Sequence, residues 1–144
     1  MECYFCKFEI NRDSNSCTKC GTEVPKCVNC NTLLLQFGKF CSNCGSDNAK
    51  TLNSIALDIR KSKQPNHNIS IKLLEMSAAL GEKVAMYNLG ILYAKGDGVE
   101  KDSEKAVFWS KKAAALGYAS AMYNLGILYA KGGDGVEKDL QKAV

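Results

Sequence analysis

The chain has 144 residues, 46% of them hydrophobic and 24% charged, with two prolines. That is a globular composition with room for one domain or two small ones, and no apolar run nears the ~18 residues that a membrane span needs. The formal charge of +4 would suit an anionic partner, but the cysteines described next remove that argument.

The opening residues, Met1-Glu2-Cys3-Tyr4-Phe5-Cys6, have no basic stretch leading into an apolar core. No secretory signal is therefore expected, and a reducing, cytoplasmic location follows. There, clustered cysteines hold metal more often than they form disulfides. All eight cysteines lie within the first 44 residues. This shift in composition divides the chain into a cysteine module over 1–48, a linker carrying a short helix over 49–65, and a remainder over 66–144.

The spacing is one unit used twice. Cys3-x-x-Cys6 and Cys17-x-x-Cys20 are separated by ten residues, as are Cys27-x-x-Cys30 and Cys41-x-x-Cys44. A Cys-x-x-Cys turn sets two sulfurs on one side of a tight loop, and two such turns joined by a hairpin give four sulfurs about 2.3 Å from one zinc ion. Sequential pairing places Cys3, Cys6, Cys17 and Cys20 on one ion, and Cys27, Cys30, Cys41 and Cys44 on the other. A cross-braced arrangement, with Cys3 and Cys6 sharing an ion with Cys27 and Cys30, is the alternative. Disulfides, iron and redox-active pairs are the competing chemistries. A thioredoxin-type pair would sit beside a βαβ unit, and no such unit is read here. Gly21 and Gly45 follow the last cysteine of each unit, where a left-handed residue is often needed. Asn31 can fill the same role after Cys30, and Gly38 can turn the second hairpin.

Tyr4, Phe5, Phe8, Ile10, Val24, Val28 and Phe37 give this module only slight apolar cover. Metal ligation must therefore supply most of its folding free energy, about 10–16 kcal/mol per structural site. Four protein ligands close the ion to water and substrate, which argues against metal catalysis. Metallation also changes the charge. Zinc ligands are thiolates, so eight of them with two divalent ions cancel the formal +4 to about zero. Net charge then gives no support to nucleic-acid binding. The spacing, and above all residues 26–47 (KCVNCNTLLLQFGKFCSNCGSD), closely resembles the double zinc ribbon family. The first unit is looser, with serine rather than an aromatic residue before Cys17. The resemblance implies two structural zinc ions and an adaptor module, and it names no partner.

In the linker, Leu52, Ile55, Ala56 and Ile59 fall at i, i+3, i+4 and i+7, one face of a helix. Gln64-Pro65-Asn66 breaks it. A short helix covering the first repeat is the preferred reading over a flexible linker. His67, the one histidine, follows a helix cap at Asn66 and has no second ligand beside it.

An internal repeat dominates the rest. Residues 85–102, AMYNLGILYAKGDGVEKD, recur at 121–139 with one inserted glycine, and the period is 36 residues, in the range of helix–turn–helix arrays. Ala85, Leu89, Leu92 and Tyr93 form the apolar stripe of the first helix. Gly90, mid-helix, costs about 1 kcal/mol relative to alanine, and close approach of the neighbouring helix would explain it. Gly96 stops that helix, and Gly98-Val99 turns the chain and returns an apolar side chain to the pair. Asp102 caps the second helix, whose expected buried residues are Ala106, Trp109, Ala113 and Ala114, ending at Gly117. Tyr87, Asn88, Tyr123 and Asn124 suit a partner surface and inter-helix contacts equally.

The set Ala85, Leu89, Gly90, Tyr93, Gly96, Gly98, Val99, Asp102, Lys105, Ala106, Trp109, Lys112, Ala113 and Gly117 strongly resembles the Sel1-like repeat, a relative of the tetratricopeptide repeat. Residues 121–143 repeat its first two thirds, with Gly133 as the extra loop residue. Residues 66–81 resemble only its second helix, with Leu73 in the place of Trp109. The resemblance implies an α-solenoid that scaffolds protein contacts and carries no catalytic residues. The expected fold is thus mainly α: a short α-solenoid of helix–turn–helix repeats preceded by a small β-hairpin double zinc ribbon. The last repeat stops in the first turn of its second helix, at Lys142-Ala143-Val144. The expectation is either a longer array or self-association through that end.

The functional reading is a zinc-binding adaptor that contacts a protein partner and no membrane. The alternative is nucleic-acid binding by the ribbons, with Tyr4, Phe5, Phe8, Phe37 and Phe40 stacking on bases and Lys7, Arg12, Lys26 and Lys39 on phosphates. An enzyme ranks last: one histidine, no Gly-rich phosphate loop after a strand and closed metal sites leave no catalytic constellation.

Overall fold

The computed structural model describes residues 16, 23–27, 41–132 and 137–139. Among these the chain is mainly helical, with five helices: α1 (Asn48–Lys61), α2 (His67–Ala79), α3 (Lys83–Lys95), α4 (Ser103–Ala115) and α5 (Ala119–Lys131). None is long and apolar enough to cross a membrane. The two expected β-hairpins lie outside the described residues, apart from Ser16, which forms an isolated antiparallel bridge with Glu23. The chain divides into two compact units, Met1–Leu80 and Gly81–Val144.

In the first unit, Asp47 starts α1 by accepting the Ala49 and Lys50 N–H groups at 2.9 and 3.4 Å. Such a cap satisfies donors that the helix itself cannot. The helix ends at Ser62, whose hydroxyl donates to the Ile59 carbonyl at 2.8 Å. Residues 49–61 of the expected linker are therefore helical, and Leu52 and Ala56 of the expected face are buried against α2. Ile55 and Ile59 are only half-buried, whereas Ala49 and Thr51 are buried. Asn66 caps α2 through the Ile69 N–H at 3.1 Å, and Leu73, Leu74 and Met76 fill the core on that side. The buried Ser77 hydroxyl donates to the Ala49 carbonyl at 2.6 Å, tying α2 to the first turn of α1.

The second unit holds α3, α4 and α5. Ala85, Leu89 and Leu92 of α3 are buried, as the stripe requires. Gly90 faces α4 so closely that a Cβ there would lie 2.6 Å from Ser110 Oγ and 3.3 Å from the Ala106 carbonyl oxygen. Ser110 is fully buried, and its Oγ also accepts the Asn124 side-chain amide of α5 at 3.1 Å. One hydroxyl thus joins three helices. Gly96 closes α3 with φ +72°, its N–H bonded to the Leu92 carbonyl at 2.9 Å. After α4, the Gly117 N–H reaches the Ala114 carbonyl and the Tyr118 N–H the Ala113 carbonyl, the paired bonds of a Schellman end.

Two expectations for α4 need correction. Trp109 and Ala114 are half-buried, and the core positions are Ala106, Val107, Ser110 and Ala113. The cause is the close approach at Gly90: a contact lined by alanine and serine leaves no space for an indole, which sits at its edge. Tyr93 is likewise half-buried.

The two copies share a closing backbone bond. The Asp102 N–H donates to the Tyr93 carbonyl at 3.0 Å, and Asp139 does the same to Tyr129 at 3.0 Å. The inserted glycine therefore leaves this closing bond intact. Its surroundings are not repeated. Met86 is buried, whereas Met122 is 52% exposed, and only Ala121 of α5 is fully buried.

Two predictions follow from this packing. Overfilling a tight contact costs about 1–3 kcal/mol, against ~1 kcal/mol of helix propensity regained by alanine. Turning the Ser110 hydroxyl aside would break its bond from Asn124. Gly90→Ala is therefore expected to lower stability by about 1 kcal/mol in urea unfolding, and adding Ser110→Ala should recover part of the loss.

The second concerns Asp102, whose carboxylate accepts the Lys105 N–H at 2.9 Å and pairs with its ammonium at 3.1 Å. The backbone bond first, then the side-chain contact, hold this carboxyl below the ordinary 3.8. A depressed folded-state pKa means the contribution is complete above the ordinary value and disappears as pH falls through the lowered one. An NMR titration should place the Asp102 midpoint below 3.8; a midpoint at or above it would show that the cap is not formed in solution.

Candidate functional site

The candidate metal centre is built around a single turn. The Gly45 N–H donates to the Cys41 carbonyl at 2.9 Å, and the Cys41 N–H to the Ser46 carbonyl at 2.8 Å. These bonds fold Cys41 to Cys44 into a tight loop. Gly45 has φ +72°, and a Cβ there would meet nothing within 4 Å. The backbone conformation, not space, therefore asks for glycine.

Cys27 arrives from an extended segment and joins the loop. The sulfurs of Cys27, Cys41 and Cys44 all lie within 4.8 Å of one another. Cys27 Sγ and Cys44 Sγ are 3.5 Å apart, far beyond a disulfide bond of about 2.05 Å. Sulfurs 2.3 Å from a tetrahedral zinc ion stand about 3.8 Å apart, so the three lie near the edge length of such a site. Soft sulfur donors converging without a bond between them fit zinc. Cys27 and Cys41 are buried and Cys44 is exposed. Of the other expected ligands, Cys3, Cys6, Cys17, Cys20 and Cys30 lie outside the described residues.

One residue at this site was not legible as a site residue. Ser46 Oγ lies 2.9 Å from Cys27 Sγ and 3.1 Å from Cys44 Sγ. Two residues after a Cys-x-x-Cys turn, a serine reads as ordinary loop. Only the fold brings Cys27 back beside it.

The repeats present a second surface. On α4 and at its C-cap, Phe108, Lys112 and Leu116 recur every four residues on the side away from the core, and Phe108 and Leu116 are 49% and 48% exposed. Trp109 meets Phe108 edge-on at 5.2 Å, and Lys112 Nζ lies 4.5 and 5.3 Å from the Phe108 and Trp109 ring centres. Lys105 and Lys111 lie over Tyr93 and Tyr129 at 5.3 and 5.7 Å. These distances are in the cation–π range. Of the tyrosines and asparagines left between two roles by the sequence, Tyr87 packs edge-on against Tyr118 at 5.1 Å, and Asn124 bonds to Ser110. Tyr123 is 75% exposed.

Comparison with known proteins agrees with this division. Residues 61–82, 83–118 and 119–144 match the Sel1 repeat model. The chain belongs to the Sel1 repeat family. Ahead of the repeats, residues 3–45 match the double zinc ribbon. Among solved structures, c5321, a protective antigen present in uropathogenic Escherichia coli strains and displaying an SLR fold, is 31% identical with TM-score 0.62. That match covers 66% of this chain and 21% of the antigen, so the chain spans about a fifth of that protein's length. A Sel1 repeat protein from Oxalobacter formigenes is 33% identical with TM-score 0.59, over 67% of this chain and 73% of its own. No curated protein matches the chain. Sel1 repeats generally mediate protein–protein interactions and are typically non-enzymatic scaffolds, and a double zinc ribbon binds zinc. The chain thus joins a double zinc ribbon match to three Sel1 repeats.

The different burial of the three thiols gives a test. In the zinc-loaded protein, a limiting alkylating reagent should modify Cys44 before the buried Cys27 and Cys41, and chelation should make all three reactive as the module loses its fold. Equal rates at the three sulfurs in the zinc-loaded protein would contradict the described arrangement.

Proposed function

We propose that the protein is a zinc-binding adaptor. Two closed four-cysteine centres, Cys3, Cys6, Cys17 and Cys20 and then Cys27, Cys30, Cys41 and Cys44, fold a ribbon over 1–48. Residues 49–65 join it to a repeat surface over 66–144 that holds a protein partner. The observation that carries this reading is the presence in one chain of a zinc ribbon and three Sel1 repeats. The convergence of Cys27 with Cys41 and Cys44 supports sequential pairing, because cross-bracing would send Cys27 to a different ion from the other two. Four thiolates leave a zinc ion no open position, so its role is structural.

On the repeats, the outer face of α4 is the surface that supports partner contact best. Phe108 and Leu116 are exposed apolar anchors, and Lys105, Lys111 and Lys112 set positive charge along the same helix. That combination suits an acidic protein segment carrying apolar side chains.

One experiment on the intact, zinc-loaded chain tests the proposal. Native mass spectrometry should count two zinc ions per chain. In affinity capture, the Phe108→Ala/Leu116→Ala variant should lose the protein partner that the wild type retains, with helicity unchanged. Fewer than two ions would overturn the metal assignment. Capture that does not depend on these two side chains would overturn the α4 surface. Salt-sensitive retention on single-stranded nucleic acid in place of a protein partner would transfer the function to the ribbon.

A further inference from the structure

We propose that Ser46 is a positioning residue of the second zinc centre, its hydroxyl donating to the Cys27 and Cys44 thiolates. This rests on the reading of that centre as a zinc site and adds a residue outside the four cysteines.

The argument begins with the proton count. Ser46 Oγ is within hydrogen-bonding distance of both sulfurs, at 2.9 and 3.1 Å. In the metal-free protein a thiol can donate to the hydroxyl oxygen. Zinc binding removes the thiol protons. Of these three atoms, only Ser46 Oγ then carries a hydrogen, and two thiolates compete for it. The bond must run from oxygen to sulfur, shared between the two or exchanged between them. A hydrogen bond to a charged acceptor is roughly twice as strong as a neutral one, so the contact strengthens when the ion is bound.

The hydroxyl is also held in place. The Ser46 carbonyl accepts the Cys41 N–H at 2.8 Å, which fixes the residue to the cysteine loop. The next residue, Asp47, is committed to capping α1 through the Ala49 and Lys50 N–H groups. Ser46 is therefore fixed on both sides, and its side chain reaches the sulfurs from a position set by the backbone. Partners of this kind orient metal ligands and offset their charge, and removing one typically lowers metal affinity by about 10–100-fold.

The test uses the full chain and a chromogenic chelator in competition for zinc, with Ser46→Ala, Ser46→Thr and Ser46→Val. Threonine and valine have similar shape and differ in the hydroxyl, so their comparison isolates the donor from any effect on the loop. One of the two ions is expected to bind about 10-fold or more weakly in Ser46→Ala and Ser46→Val. Ser46→Thr should stay near the wild type, and the other ion should be unchanged in all three. Equal affinity in the threonine and valine variants would overturn the donor role, whether both match the wild type or both are weakened. The wild type is the control for the underlying reading. If zinc does not protect Cys27, Cys41 and Cys44 of the wild type from alkylation, both the zinc centre and the role of Ser46 fall; if it protects them and the variants do not separate, only the role of Ser46 falls.

Discussion

The second unit depends on how near α3 and α4 come at Gly90. A side chain there would collide with Ser110 Oγ and crowd the Ala106 carbonyl, so the closeness requires glycine despite its low helix propensity. Other features follow from it. Ser110 is buried and would be an uncompensated polar group, but the Asn124 amide satisfies it and brings α5 to the same point. The interface is lined by small residues, and the large side chains of α4 are displaced to its rim and outer face. Phe108, two residues from both Ala106 and Ser110, falls on the far side of the helix, and Trp109 is half-buried.

The metal site and the first helix are joined in a similar way. Cys41 and Cys44 supply sulfurs, Gly45 and Ser46 close the turn, and Asp47 caps α1. These functions fall to consecutive stretches of one short segment, with no independent linker between them. Order in the cysteine turn therefore fixes where α1 begins. The buried bond from Ser77 to the Ala49 carbonyl carries that placement on to α2. A module with so little apolar cover needs metal ligation for its stability, and here its ordered end also starts the adjoining helical pair.

Local features were largely legible in the sequence. The glycine at 96 and the aspartate at 102 announced a helix stop and a helix start, because each has a backbone role that depends on few neighbours. The spacing also put Cys27 with Cys41 and Cys44, the three sulfurs that the structure brings together. What was not legible depended on tertiary context. Period alone put Trp109 in the core, since it cannot register that the facing helix approaches too closely for an indole. It ranked Ile55 and Ile59 with Leu52, although they are half-buried while Ala49 and Thr51 are buried. Ser46 had no signal at all: its significance comes from Cys27, nineteen residues earlier in the chain.

The duplicated segments separate these two levels within one molecule. Sequence identity is complete over the aligned positions, and one backbone bond follows it: Tyr93 with Asp102 and Tyr129 with Asp139 close the two copies at equal length. The side-chain environments do not follow it. Met86 is buried and Met122 exposed; Tyr87 rests on Tyr118, while Tyr123 stands largely in solvent. In a repeat array each unit's burial is set by its nearest neighbours. Identical residues can therefore be core in one copy and surface in the next. A binding surface can arise in such a protein without any change in the repeat itself, by the position at which a copy is placed.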